Sequence, residues 1–181
     1  MMVAILGRRS LLVAAAALLV AAPAAATTEI ARSVERPALR LGDTPSQVRL
    51  RPAGTPQGGG PFRLLLEGID ARRDPGVNYS IFLDLPEGAP PDPAGPFYVG
   101  RLSFFGRVPG EGGAGGDPER GERQAYDVTG LVLAQRAAGH WPTGGPTVTL
   151  VPAGVLLPGG GRDVGAGDAG ASVTRIRLVA E

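Results

Sequence analysis

The sequence predicts a mainly β protein, an antiparallel β-sandwich or jelly-roll-like barrel with one short helix. Short runs rich in aliphatic and aromatic residues recur along the chain, several with the period-two alternation of a half-buried strand. Glycine and proline, 29 and 18 of the 181 residues, separate those runs with turns. Only one stretch carries apolar residues at helical spacing, so strands must supply the layers.

Residues 1–26 stand apart. Arg8 and Arg9 precede an apolar run from Leu11 to Ala22, and Ala24, Ala25 and Ala26 precede Thr27. A charged start, a short apolar segment and a small-residue cleavage site predict a signal peptide, and the run is too short for a membrane span. Adjacent arginines followed by Ser10, Leu11 and Leu12 also fit a twin-arginine signal, so both export routes stay open. Cleavage after Ala26 leaves 155 residues with 16 Arg against 17 acidic side chains. That near-neutral balance argues against nucleic acid as a partner. The chain has no cysteine, so a disulfide is excluded and the exported domain must rely on its core.

Residues 27–45 are polar and without a clear period, and read as a flexible lead-in or a loose outer strand; the β domain is placed at 46–181. Val48 and Leu50 alternate with polar neighbours in a strand over 47–51, and 51–61 reads as a loop. The central strands follow: 62–69 (FRLLLEGI), whose continuous apolar run predicts burial on both faces, 78–85 (NYSIFLDL) and 97–106 (FYVGRLSFFG). Between the last two lies a loop, 86–96, whose five prolines stiffen it and keep it from pairing. Residues 107–124 are glycine-rich and charged, and read as a mobile loop. Val128, Leu131 and Val132 place a short helix before Gly139, capped by Asp127 or Thr129. Strands are then expected at 146–152 and 172–179, joined by a long glycine-rich connection containing Val155, Leu156 and Leu157. The predicted core takes in Leu64, Leu66, Ile81, Leu83, Leu102, Phe104, Leu150, Ile176 and Leu178.

The order of these pieces carries a resemblance. LLLEGI at 64–69, YSIF at 79–82, VGRLSFF at 99–105, TVTLVP at 147–152 and VTRIRL at 173–178 together resemble the KFDV-type C-terminal domain of plant polyphenol oxidases and related bacterial tyrosinases. The likeness covers roughly residues 47–180 and implies the same sandwich. In those enzymes the domain follows a dicopper domain; here it is expected to stand alone. Two departures are visible: the KFDV tetrad reads YSIF, with Ser80 at the acidic position, and the last loop is longer.

Chemistry is sparse. A type-3 copper centre in the family uses six imidazole ligands, whereas His140 is the only histidine here, so oxidase activity does not carry over. His140, beside Trp141 after the helix, reads as a loop residue. Ser80 and Ser103 fall within strand runs outside any nucleophile-elbow pattern. Asp84, Glu87 and Asp92 flank a proline-rich turn, where solvated acids are routine. The glycine runs lack phosphate-loop spacing, and Asn78-Tyr79-Ser80 is a glycosylation sequon inside a strand. No cofactor or metal is expected.

Two functional classes remain. In latent polyphenol oxidases the related domain packs over the copper-site entrance, and the resemblance implies a free-standing shield for a co-exported tyrosinase-like oxidase. Its expected contacts are Phe97 and Tyr98 at the end of the stiff loop, and Val155, Leu156 and Leu157 in the final connection. The alternative is a cell-envelope binding or structural module, for example for carbohydrate, with no oxidase partner. Scarce aromatic residues weigh against a sugar platform. A neighbouring gene for a tyrosinase lacking such a domain favours the shield.

Overall fold

The computed structural model describes residues 27–33, 38–53, 60–73, 75–104, 122–156, 162–163 and 169–181. The expected signal segment 1–26 lies outside these residues, as do most of the loop read at 107–124 and Leu157. The elements are β1 (Thr28–Arg32), β2 (Leu39–Arg40), β3 (Ser46–Arg49), β4 (Arg51–Pro52), β5 (Phe62–Asp70), β6 (Asn78–Leu83), β7 (Tyr98–Leu102), β8 (Glu122–Asp127), α1 (Thr129–Ala137), β9 (Thr147–Ala153), β10 (Val155–Leu156), β11 (Arg162–Asp163) and β12 (Ser172–Ala180).

Two antiparallel sheets form. The larger runs β4-β1-β12-β5-β8 with β2 paired to the start of β12, and the smaller runs β3-β9-β6-β7. Neither sheet closes on itself, so of the two architectures expected the sandwich is the one built. β10 and β11 pair separately as a short hairpin within the long connection.

β5 and β12 lie at the heart of the larger sheet, paired without a register shift from Phe62↔Ala180 to Asp70↔Ser172. Phe62, Leu64 and Leu66 point inward, while Arg63 is exposed and Leu65 half-buried. The expected burial of both faces holds in part: the inner face is core, while on the outer face Glu67 is buried, Leu65 half-buried and Arg63 exposed. Gly68, at φ +61°, is an extra residue relative to β8 and turns Ile69 back into the core. A Cβ is poorly tolerated at that φ, which fits glycine at this bulge. Across the sandwich, Tyr79, Ile81 and Leu83 of β6 face inward with Leu102, Val148 and Leu150. All nine residues predicted for the core are buried in it.

Four segments depart from expectation; the first is 51–52, read as the start of a loop, which forms β4 against β1. Residues 28–32, read as a lead-in or a loose outer strand, form β1, which lies between β4 and β12 with Ile30 and Ala31 buried. Residues 122–124, read as the end of a mobile loop, begin β8, an edge strand with an exposed charged face and Gln124 and Tyr126 turned in. Helix α1 starts after Val128, with no side-chain cap. Asp127 Oδ1 accepts the Thr129 N–H (2.9 Å), and Thr129 Oγ1 accepts the N–H of Phe62 (2.8 Å), tying the helix to β5. The helix ends as expected at Gly139, where His140 N–H bonds back to the Gln135 carbonyl (2.8 Å).

The two sheets meet closely at the β7 and β8 edges. Tyr126 of β8 lies against Gly100 of β7, where any Cβ would sit 2.8 Å from the ring. Its hydroxyl is 3.0 Å from the Arg101 carbonyl and 2.6 Å from Gln124 Oε1, and Gln124 Nε2 donates to the Ser103 carbonyl (3.2 Å). Burial raises the Tyr126 phenol pKa to about 12, so it stays a neutral donor.

Phe104 is 3% exposed and meets Tyr79 edge to face at 6.0 Å. Phe104→Ala is expected to cost about 3 to 5 kcal/mol and to lower the melting temperature by about 10 °C. Calorimetry of the variant checks this; an unchanged midpoint would remove Phe104 from the core.

Candidate functional site

The proline-rich loop leaves β6 through a strained residue. Asp84 adopts φ +53°, the one non-glycine left-handed residue among those described. Its backbone N–H donates to the Thr147 carbonyl (2.7 Å) and its Oδ1 accepts the Thr147 N–H (2.7 Å), so both peptide groups of Thr147 stabilise the turn. Burial raises the Asp84 pKa, opposed by the Thr147 hydrogen bond and the charge of Arg49. Its Oδ2 is buried without a hydrogen-bond partner among the described residues. Asp84 is a staple of the loop base, while Glu87 and Asp92 are exposed on the loop.

The loop is internally braced. Ala89 N–H donates to the Pro86 carbonyl (3.0 Å), and the Asp92 side chain and carbonyl accept from Ala94 (2.9 Å) and Gly95 (2.9 Å). Leu83 N–H closes the base on the Phe97 carbonyl (2.9 Å). Phe97 and Tyr98 are both half-buried. Tyr98 meets Phe82 edge to face at 5.7 Å, on the outer side of the smaller sheet. The large apolar side chain most open to solvent among the described residues is instead Leu133 on α1.

The register separates the candidate contacts. Phe97 and Tyr98 sit beside the Leu83 end of β6, whereas Val155 and Leu156 follow Ala153, which pairs with Asn78 at the opposite end. Five strand steps put these ends roughly 16 Å apart. The structure thus brings Phe97 and Tyr98 together and places the β10 pair at the other end of the sheet; Leu157 falls outside the described residues.

The remaining sequence candidates stay dispersed. His140 is exposed beyond α1, Ser80 is buried within β6, and Ser103 is half-buried after β7. Among the described residues no cluster of three or more His, Asp or Glu side chains is arranged to hold a metal.

Sequence reasoning missed the most concentrated charge. Glu67, 1% exposed, lies on the outer face of β5. Arg177 Nη2 and Nε donate to its two oxygens at 2.6 and 3.0 Å, Arg123 approaches at 3.0 Å and Arg175 at 3.6 Å. Arg177 also reaches Glu29 of β1 at 3.5 Å. The signal was available: Glu interrupts an apolar strand while Arg175 and Arg177 share one face of another. Burial alone would raise the Glu67 pKa, but the Arg177 hydrogen bond and the charges of Arg177, Arg123 and Arg175 outweigh it and hold the carboxyl below its usual range.

No protein-family model and no curated protein matches this chain. Among solved structures it is similar to recombinantly expressed latent aurone synthase, a polyphenol oxidase, with 17% identity and a TM-score of 0.48 over 83% of this chain. The same enzyme from its natural source matches with 17% identity and a TM-score of 0.47 over 82% of this chain. The chain spans 27% of the length of each of those proteins.

Because the folded-state pKa of Glu67 is depressed, its stabilisation is fully present above the unfolded carboxyl pKa of 4.5 and is lost as pH falls through the lower folded value. Glu67→Gln should therefore destabilise the protein at pH 7 by on the order of 3 kcal/mol, the low end for a broken buried pair because the arginines keep some water. It should also flatten the loss of stability below pH 4.5. Denaturant unfolding from pH 7 to 3 measures both; parallel wild-type and variant curves would contradict the assignment.

Proposed function

We propose that this protein is a non-catalytic exported interaction domain that binds a separate tyrosinase-like copper oxidase and covers its active-site mouth. The observation that carries this reading is the ordered set of motifs resembling the polyphenol oxidase C-terminal domain. Its pieces at 64–69, 79–82, 147–152 and 173–178 coincide with β5, β6, β9 and β12, and its VGRLSFF piece begins in β7. A shield needs a firm projection more than it needs reactive groups, and the braced loop from Pro86 to Pro96, ending at Phe97 and Tyr98, has that character. Val155 and Leu156 of β10, at the far end of the smaller sheet, supply a second contact, with Leu157 following them in the sequence.

One histidine against the six ligands of a type-3 centre keeps the chain itself from being the oxidase. Passage through the twin-arginine route would let a folded pair leave the cytoplasm together.

The test mixes the purified protein with the tyrosinase encoded nearest to it and measures complex formation and diphenol turnover. A complex that slows turnover is expected, weakened when Phe97 and Tyr98 are both replaced by Ala. No complex and no rate change at micromolar concentration would reject the shield and leave the envelope-binding reading. The protein alone is expected neither to oxidise catechol nor to retain copper on dialysis; stoichiometric copper would overturn the non-catalytic assignment.

A further inference from the structure

Strand β8 ends the larger sheet: among the described residues it pairs with β5 alone. Val128 N–H, just beyond the strand, donates to the Phe62 carbonyl (2.9 Å). In an antiparallel ladder the residues that bond to one neighbour alternate with those that face away from it. Tyr126 and Gln124 therefore turn their peptide groups to β5, and Arg123, Ala125 and Asp127 turn theirs to the open side. The side chains of these three residues share the outer face and are exposed, while Gln124 and Tyr126 fill the inner one.

An open ladder invites another strand, and the side chains decide which strand fits. Here the alternate positions read basic, small, acidic: Arg123, Ala125, Asp127. Reversed, as an antiparallel partner presents it, that order is its own complement. With a two-fold axis at Ala125, Arg123 of each copy stands opposite Asp127 of the other, and the two Ala125 side chains meet at the axis without a clash. All three pairs join residues whose peptide groups face the gap, so each exchanges two N–H···O bonds. Other registers lose the match. An axis at Gln124 or Tyr126 sets Ala125 against a charge, and an axis at Arg123 or Asp127 sets like charges opposite each other. The existing contacts leave room: Arg123 meets Glu67 through Nε (3.0 Å) and is more than half exposed, and Asp127, which accepts the Thr129 N–H, is exposed as well.

We propose that two copies of this chain pair through β8, antiparallel about Ala125, and join their larger sheets into one. The contact is short, so the dimer is weak, with a dissociation constant on the order of 0.1 mM. The inference stands on β8 and holds whether or not the protein binds an oxidase.

Sedimentation velocity of the purified protein from about 10 μM to about 1 mM follows the association, with dimer expected to predominate at the upper end. Ala125→Glu and Ala125→Arg each place like charges at the axis and should each weaken self-association roughly tenfold or more. An equimolar mixture of the two should restore a dimer holding one copy of each. In the unsubstituted protein, hydrogen exchange at the Arg123, Ala125 and Asp127 amides should slow as concentration rises, while exchange at Val128 stays constant. This measurement keeps the test standing even if a variant fails to fold. A monomer throughout the range, unweakened association of either variant alone, a mixture of folded variants that stays monomeric, or exchange at the three amides that ignores concentration would overturn the proposal.

Discussion

The buried carboxylate of Glu67 is the constraint around which the larger sheet is arranged. It lies between Arg123 of β8 and Arg175 of β12, its register partners on either side, and reaches diagonally to Arg177. A carboxylate taken out of water is costly unless its lone pairs are filled, and here arginines from both flanking strands fill them. A one-residue slip of β8 or β12 would carry these arginines to the core face and leave Glu67 unpaired. The same slip would expose Ile176 and Leu178, so charge on one face and apolar packing on the other specify one alignment. Arg177 extends this control to β1 through Glu29, which locates an N-terminal strand lacking a strong pattern of its own.

The smaller sheet is governed differently. Its inner face joins the common core, while its mechanical detail concentrates at the Leu83 end of β6. There Asp84 accepts a left-handed backbone in return for two hydrogen bonds with Thr147, and the loop closes through Leu83 and Phe97. Proline supplies stiffness within the loop and Asp92 supplies its turn, so the loop leaves the sandwich in a defined direction rather than as a tether.

The strands of the core were legible because their sequences declare themselves: in 79–83 and 176–178 every second residue is a large apolar one, and turns bound them. β1 and β8 were not, because an inner strand made of Thr, Glu, Ile, Ala and Arg and an edge strand made of Glu, Arg, Gln, Ala, Tyr and Asp owe their conformation to their neighbours. The proline-rich loop was legible as stiff, but the positive φ at Asp84 was invisible in composition. The spacing of Phe97 and Tyr98 from Val155 and Leu156 required the pairing of β6 with β9. Glu67 was missed because nothing within 62–69 shows what covers the outer face of that strand, and the cover is arginine stems from β8 and β12.

The closure at Tyr126 and Gly100 also bears on how copies of this chain meet one another. An edge strand offers unpaired carbonyls to any extended segment, and β7 would be such an invitation. Its Arg101 carbonyl lies 3.0 Å from the Tyr126 hydroxyl, which it shares with Gln124 Oε1, and its neighbouring Ser103 carbonyl accepts from Gln124 Nε2, both groups coming from the opposing sheet. An incoming strand would have to displace a phenol wedged against the one residue small enough to admit it. Pairing of another strand at this edge is therefore hindered, which matters for a domain whose lack of cysteine leaves it no covalent brace.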